Sequence, residues 1–356
     1  MKRFVRTILA AVNIPIALLF LAGYLAYYVP FGVFWWFELV AVCLPYIALV
    51  LAGMTVLLAL AGNRRALVVN GVLLALFLIR ANPFDRFDAV PDTPDDALTL
   101  LTFNAPAIWR DATPERPAHM ARLVEESRPD IIGLQEASIA WYDEAPFTRA
   151  DPYVSILFDS LGFSSIRPDN ASWTQQPVLS KPSVVHVSRR RLYSSDNRTS
   201  HVIRARVRWQ DRDFILYNVH LRTFGERKPW EETRSSVFDV EYIMRYLRQY
   251  RAAYRVRARE IDGIVAMIEE ETLPVILCGD LNSTPNNRVY HTLSGRLRDA
   301  FAEAGEGWGM TYHARLPAVR IDYVFVSEEW EVVAARVQEA HLSDHLPLLV
   351  TLRLRD

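Results

Sequence analysis

Two stretches without a single charge, residues 7–29 ("TILAAVNIPIALLFLAGYLAYYV") and 39–61 ("LVAVCLPYIALVLAGMTVLLALA"), restrict the possible folds of this chain more than any other feature. Each exceeds the roughly 20 apolar residues that cross a hydrocarbon core. Both are expected to be transmembrane helices. A third run over residues 66–80 is shorter, and Arg64, Arg65 and Arg80 are placed to snorkel from its ends; it is expected to be a third span. Tyr24, Tyr27, Tyr28, Trp35 and Trp36 cluster around the first connection, where amphipathic rings favour the membrane–water interface.

A cleaved signal peptide competes for the first segment, because Lys2, Arg3 and Arg6 precede it. Its apolar run is longer than the roughly 7–15 residues of a signal core and a second run follows at once, which favours an uncleaved anchor. The same basic residues place the N-terminus in the cytoplasm by the positive-inside rule, and Arg64 and Arg65 place the second connection there too. Three crossings would then put the rest of the chain outside the cytoplasm, as expected of a multi-pass protein of the bacterial inner membrane.

Residues 81–96 ("ANPFDRFDAVPDTPDD") are rich in Pro and Asp and read as a linker between the anchor, residues 1–80, and a domain over 97–356. The chain carries 40 Lys+Arg against 41 Asp+Glu, so bulk charge does not mark a polyanion binder. Of the two cysteines, Cys43 lies in the second apolar run and Cys278 in a short apolar strand. Neither a disulfide framework nor a cysteine-based metal site is implied.

From residue 97 short apolar strands alternate with helical stretches, as in an α/β domain. "ALTLLTFN", "DIIGLQE", "FILYNVHL", "PVILCGDLN", "RIDYVFV" and "LPLLVTLRL" are the clearest strands. Polar residues stand at their ends: Asn104, Gln135 and Glu136, Asn218 and His220, Asp280 and Asn282, and Asp322, with Asp344 and His345 just before the last strand. One such residue is usually a turn former. The ordered set suits phosphate and divalent-metal chemistry.

In "TFNA", "LQEA", "NVHL", "GDLNSTP", "RIDYVF" and "SDHLP", in that order, the chain resembles the endonuclease/exonuclease/phosphatase superfamily over about residues 97–356. With apolar segments in front, it is most similar to the membrane-anchored bacterial branch. The resemblance implies a four-layer sandwich, two mixed β-sheets with helices outside, preceded here by a bundle of about three transmembrane helices. It also implies a site along one edge of the sheets.

Hydrolysis of a phosphate ester needs a cation on the phosphoryl oxygens, a positioned water and help for the leaving oxygen. Glu136 is the expected ligand for Mg2+, with Mn2+ as the alternative, because carboxylate and amide oxygens suit a hard ion. Asn104 would complete the coordination or orient Glu136, and Asp344 would contribute from the opposite side. By resemblance Asp280 orients or deprotonates the attacking water, Asn282 donates to a phosphoryl oxygen, and His220 stabilises developing charge. Asp322 would hold the His345 imidazole, fixing its tautomer, whether His345 then serves as general base or as electrostatic stabiliser. Asn104, His220 and Asn282 are thus the expected substrate contacts.

Substrate choice belongs to the loops. Ser180 and Lys181 match a segment carried by relatives, but Pro182 replaces an aromatic residue there. Arg245, Arg248, Arg251, Arg255 and Arg259 recur at helical spacing and form one basic face. That face is either solvated and offset by Glu260 and Asp262, or a contact for phosphorylated headgroups or a polyanion. The expected partners are therefore the lipid bilayer and a phosphoester substrate, either a lipid headgroup or a nucleic acid or nucleotide. A catalytically idle relative that only binds is the competing class.

Overall fold

The computed structural model describes residues 2–30, 34–81, 94–105, 115–140, 160–165, 167–195, 198–223, 239–312, 318–340 and 342–355. Most of the expected linker, residues 82–93, lies outside these, as does His341. The chain divides into a helical unit, Met1–Asp85 with Ser283–His291, and a larger unit comprising Arg86–Asn282 and Thr292–Asp356.

The helical unit contains α1 (Lys2–Ala26), α2 (Trp35–Val42), α3 (Leu44–Leu60) and α4 (Arg64–Ala81). Only α1 among the described helices is long and apolar enough to cross a membrane by itself; α2 and α3 together would make a second crossing, but they bend by 68°. The bend follows from Pro45 in the first turn of α3, since proline fits a helix start but lacks the N–H that would join that turn to a preceding helix. The expected three straight spans are thus corrected to one, or two with the bent pair. Helix α4 carries Arg64, Arg65 and Arg80 and fails on charge. One crossing would leave the rest of the chain on the far side of the membrane from the N-terminus, and two would return it to the side on which it starts.

Inside this unit Phe20, Leu44, Ala48 and Leu51 form a small core with Leu73, Leu74 and Phe77 of α4 against it. Three polar side chains sit among them. Asn13 and Asn70 exchange amide hydrogen bonds at 3.0 and 2.9 Å, and Asn70 Nδ2 also donates to Thr55 Oγ1 at 3.0 Å. The outward positions are apolar, including Leu49 at 71% and Ile79 at 76% exposure.

The larger unit contains ten principal strands: β1 (Leu98–Asn104), β2 (Ile131–Gln135), β3 (Val178–Ser180), β4 (Val184–Ser195), β5 (Arg198–Trp209), β6 (Arg212–His220), β7 (Val275–Asp280), β8 (Asp322–Val326), β9 (Trp330–Val337) and β10 (Leu348–Leu354). One sheet runs β9-β10-β1-β2-β3 with a two-residue strand at either edge, the other β8-β7-β6-β5-β4 with one beside β8. Both are mixed: β1 and β2 are parallel in one, β6 and β7 in the other, and their other neighbours are antiparallel. The central strands read as unbroken apolar runs because they are covered on both faces.

Leu98, Leu100, Ile203, Leu216, Ile276 and Val350 share the core in which the two sheets meet. Outside the first sheet lies α5 (Glu115–Ser127), with Met120, Leu123 and Val124 packed on Ile132 and Leu134. The second helix of the layer, α6 (Val240–Glu269), buries Tyr250, Tyr254, Ile261 and Ile264. Two packed mixed sheets flanked by helices are thus borne out. On α6 the five arginines of the basic face are all exposed, but Glu260 is fully buried and accepts the Arg222 N–H at 2.9 Å. Glu260 therefore does not offset that face.

Candidate active site

Strand register gathers the expected residues at one end of the sheets. Asp280, the last residue of β7, stands between His220 on its parallel neighbour and Asp322 on its antiparallel neighbour, so three chemical side chains form one row. In the other sheet Asn104 pairs with Gln135, which puts Glu136 just beyond the end of β2. Gly279 makes the row possible: its φ is +133°, and a Cβ there would lie 2.0 Å from the Val219 carbonyl oxygen.

Asp280 is 1% exposed and its Oδ2 is the hub of the cluster. Asn104 Nδ2 donates to it at 3.0 Å from one sheet and Asn282 Nδ2 at 3.2 Å from the following loop, while the Asn282 N–H donates to Oδ1 at 2.7 Å. The Nε2 atoms of His220 and His345 approach the same Oδ2 at 3.7 and 3.9 Å. His220 Nε2 also lies 3.8 Å from Glu136 Oε1. Burial, with the neighbouring Asp322, pushes the Asp280 carboxyl above the usual carboxylate range.

His345 Nδ1 meets Asp322 Oδ2 at 2.9 Å, so the expected carboxylate–imidazole pair is formed. Burial pulls the His345 pKa down, but the Asp322 charge and hydrogen bond together with Asp280 outweigh it, and the value is raised from 6.5 to about 9. The Asp322 N–H donates to Thr311 Oγ1 at 3.0 Å and the Tyr312 ring packs edge-on to His345 with centroids 5.0 Å apart. Sequence reasoning missed Thr311 and Tyr312, which lie in no periodic pattern and carry no strand-end signature.

Two site residues have a left-handed backbone without being glycine, Glu136 at φ 57° and Asn282 at φ 48°. Such conformations are sparsely populated and are concentrated where the surroundings over-determine them, above all at functional sites. Gln135 and Asn218 play a different part from the one their place at strand ends suggested. Gln135 Nε2 donates to Asn218 Oδ1 at 2.7 Å, and Asn218 Nδ2 donates to the Leu134 and Pro177 carbonyls, so the pair bonds one sheet to the other. Gly133 allows that approach, since a Cβ would meet Cys278 Sγ at 2.7 Å.

The donor set suits a divalent ion. Asn104 Oδ1 is buried and accepts no hydrogen bond among the described residues, an unmet oxygen acceptor of the kind a hard cation takes. Asp322 Oδ1 is unmet in the same way. Ligand atoms of Asp280, Asp322 and His345 lie within 4.8 Å of one another, close enough to share one ion. Asp344, half-buried, accepts from Ser343 Oγ at 3.3 Å and acts on His345 through its charge. Lys181 packs instead over the Phe163 ring at 4.7 Å, and Ser180 donates to the Pro182 carbonyl.

Residues 101–345 match the family model described as Endonuclease/Exonuclease/phosphatase family. Among solved structures, the endonuclease/exonuclease/phosphatase from Bacteroides vulgatus is 20% identical, with TM-score 0.52, over 73% of this chain and 99% of its own. The human Nocturnin catalytic domain with bound sulfate anion is 18% identical, with TM-score 0.51, over 75% of this chain and 96% of its own. D. rerio TDP2 complexed with single strand DNA product is 14% identical, with TM-score 0.51, over 73% of this chain and all of its own. Likeness at these identities establishes the fold. No curated protein sequence matches.

Proposed function

The chain belongs to the endonuclease/exonuclease/phosphatase family, and from that premise we propose that it is a membrane-anchored, Mg2+-dependent phosphoric ester hydrolase acting by in-line attack of water. The observation that carries the reading is the hub at Asp280 Oδ2, on which Asn104, Asn282, His220 and His345 converge from both sheets. The two asparagines bond the Asp280 carboxylate, whereas the Nε2 atoms of His220 and His345 stand at 3.7 and 3.9 Å from it, beyond hydrogen-bond distance, where a phosphoryl group could meet them.

Glu136 and Asn104 Oδ1 would hold the cation, with Asp344 as a further oxygen donor, an all-oxygen set that suits a hard ion. When bound, the ion supplies positive charge to the phosphoryl oxygens. Asp280 holds and deprotonates the attacking water, and Asn282 keeps the Asp280 carboxylate in place through Oδ1. His220 and His345 donate their Nε2 protons to phosphoryl oxygens from either side. Asp322 accepts from Nδ1 and its charge keeps the His345 ring protonated, so that Nε2 also carries a proton to donate.

Support for the anchor comes from the helical unit, whose outward positions are apolar while its amide groups are turned inward. That is the distribution expected in lipid, where exposed polar groups are costly. The bonds between Asn13 and Asn70 support α1 as an uncleaved anchor, since its removal would leave the Asn70 amide without that partner. Tethering makes a phosphorylated lipid headgroup the favoured substrate over a nucleic acid. The test is hydrolysis by full-length protein with Mg2+ of sphingomyelin and phosphoinositide vesicles against single- and double-stranded DNA. Turnover of lipid above nucleic acid is expected; turnover of neither, with all four substrates saturating, removes the reading.

A further inference from the structure

Residues Ser283–His291 follow the site residue Asn282 directly, yet they group with the N-terminal helices. The link is Glu38 of α2, separated from them by about 250 residues and only 3% exposed. Its Oε2 accepts from Asn287 Nδ2 at 2.6 Å and its Oε1 from the Arg288 N–H at 3.0 Å; its main-chain carbonyl also accepts from Asn287 Nδ2, at 2.9 Å. Asn287 Oδ1 in turn accepts from the Thr284 N–H at 2.8 Å and from Thr284 Oγ1 at 2.7 Å. The chain of bonds thus runs from a membrane-unit carboxylate to a residue two positions after Asn282.

A second contact holds the far end of the segment. The Tyr27 ring packs on His291 with centroids 4.1 Å apart, and Tyr28 lies edge-on to it at 5.7 Å. The Arg80 guanidinium covers the Tyr24 ring and donates to the Tyr24 carbonyl, tying the end of α4 to the same aromatic group. Buried carboxylates are retained where their oxygens meet donors and are destabilising where they do not. At Glu38 both oxygens are met by the segment that follows Asn282.

Asn282 is the residue with most to gain from such a hold. Its φ of 48° is a left-handed conformation that asparagine tolerates, and neighbouring bonds decide whether it is held. Three of its bonds, to Asp280 and to the Leu221 carbonyl, lie on one side of it in the chain. The other side leads into Ser283–His291.

We propose that Glu38 is a positioning residue for the reaction: through Asn287 and Thr284 it fixes the loop that carries Asn282, and so makes hydrolysis depend on the helical unit beyond its use as an anchor. The inference rests on the function proposed above. Glu38 lies in an apolar stretch outside residues 101–345.

The experiment compares wild type, Glu38→Ala and Asn287→Ala as full-length protein in lipid nanodiscs, with bis(p-nitrophenyl) phosphate and Mg2+. Misplacing a catalytic group by about 1 Å costs up to roughly 10²-fold, so kcat is expected to fall at least about tenfold in both variants with KM changed less than about twofold. Glu38→Gln keeps one acceptor for the Arg288 N–H and should lose less than Glu38→Ala. Hydrogen–deuterium exchange is read on the same samples, where faster exchange confined to residues 281–294 is expected in both alanine variants. Unchanged kcat, a loss carried by KM alone, or unchanged exchange over 281–294 would overturn the proposal. If Glu38→Ala does not fold, Asn287→Ala and Glu38→Gln decide by the same criteria. A wild type inactive on this ester fails the functional reading, while the exchange arm still decides whether Glu38 holds the loop.

Discussion

Two buried polar clusters in this molecule are built from similar side chains and differ in how fully they are satisfied. In the helical unit Asn13 and Asn70 exchange both amide bonds and Thr55 takes a third, so the group closes on itself. At the sheet ends Asn104 Oδ1 and Asp322 Oδ1 are buried without a donor among the described residues, and donors crowd onto a single oxygen of Asp280. A closed cluster fixes packing. An open one holds acceptors and protons in reserve, at a cost in stability that chemistry repays.

The largest expected consequence separates the two clusters by activity. Asp280→Asn removes the charge at the hub but keeps its size, so kcat should fall by about 10²–10⁴, the range for loss of an acid–base group. Circular dichroism and melting temperature should show a folded protein. Asn70→Leu, by contrast, should leave kcat within about twofold. Full activity in Asp280→Asn would abolish the distinction.

Next comes the Asp322–His345 pair. If Asp322 works by orienting His345, then Asp322→Asn, His345→Gln and the double variant should lose similar factors in kcat, because members of one unit are not additive. Losses that multiply would break the pair into separate functions. The pair also has a pH signature in the metal-free protein. Because the His345 pKa is raised from 6.5 to about 9 on folding, its contribution to stability is complete below pH 6.5 and is lost as pH rises through about 9. The melting-temperature advantage of wild type over Asp322→Asn should therefore shrink between those values, and an advantage that grows would contradict the assignment.

The smallest effect is expected in the closed cluster. Asn70→Leu leaves the Asn13 amide unsatisfied, and in the membrane setting proposed above a hydrogen bond of this kind contributes about 0.6–1.7 kcal/mol. Detergent unfolding monitored by helical circular dichroism should register a loss of that order. No loss at all would mean the amide pair is incidental to packing.

How much of this was legible in the sequence follows from the range of each interaction. Asn104, Glu136, His220, Asp280, Asn282, Asp322 and His345 stand out in the sequence because each lies at or beside an end of a short apolar strand, a local pattern, and the mixed sheets bring those ends together. Gln135 and Asn218 carry the same local signature but spend it on bonding sheet to sheet, which depends on how the sheets face each other. The N-terminal helices are legible as apolar runs, whereas the bend at Pro45 and the three arginines of α4 divide them differently. Glu38 was invisible in that respect, since nothing around it indicates a partner some 250 residues away.

Metal dependence tests the open cluster most directly. Full-length protein is stripped with a chelator, assayed on bis(p-nitrophenyl) phosphate, and assayed again as Mg2+ is returned, beside Glu136→Gln treated in the same way. The expected result is hydrolysis that disappears on stripping and returns with Mg2+ in wild type, and in Glu136→Gln returns only at much higher Mg2+ or not at all. Hydrolysis that survives stripping, or an equal Mg2+ response in Glu136→Gln, would contradict a cation held at Glu136 and Asn104.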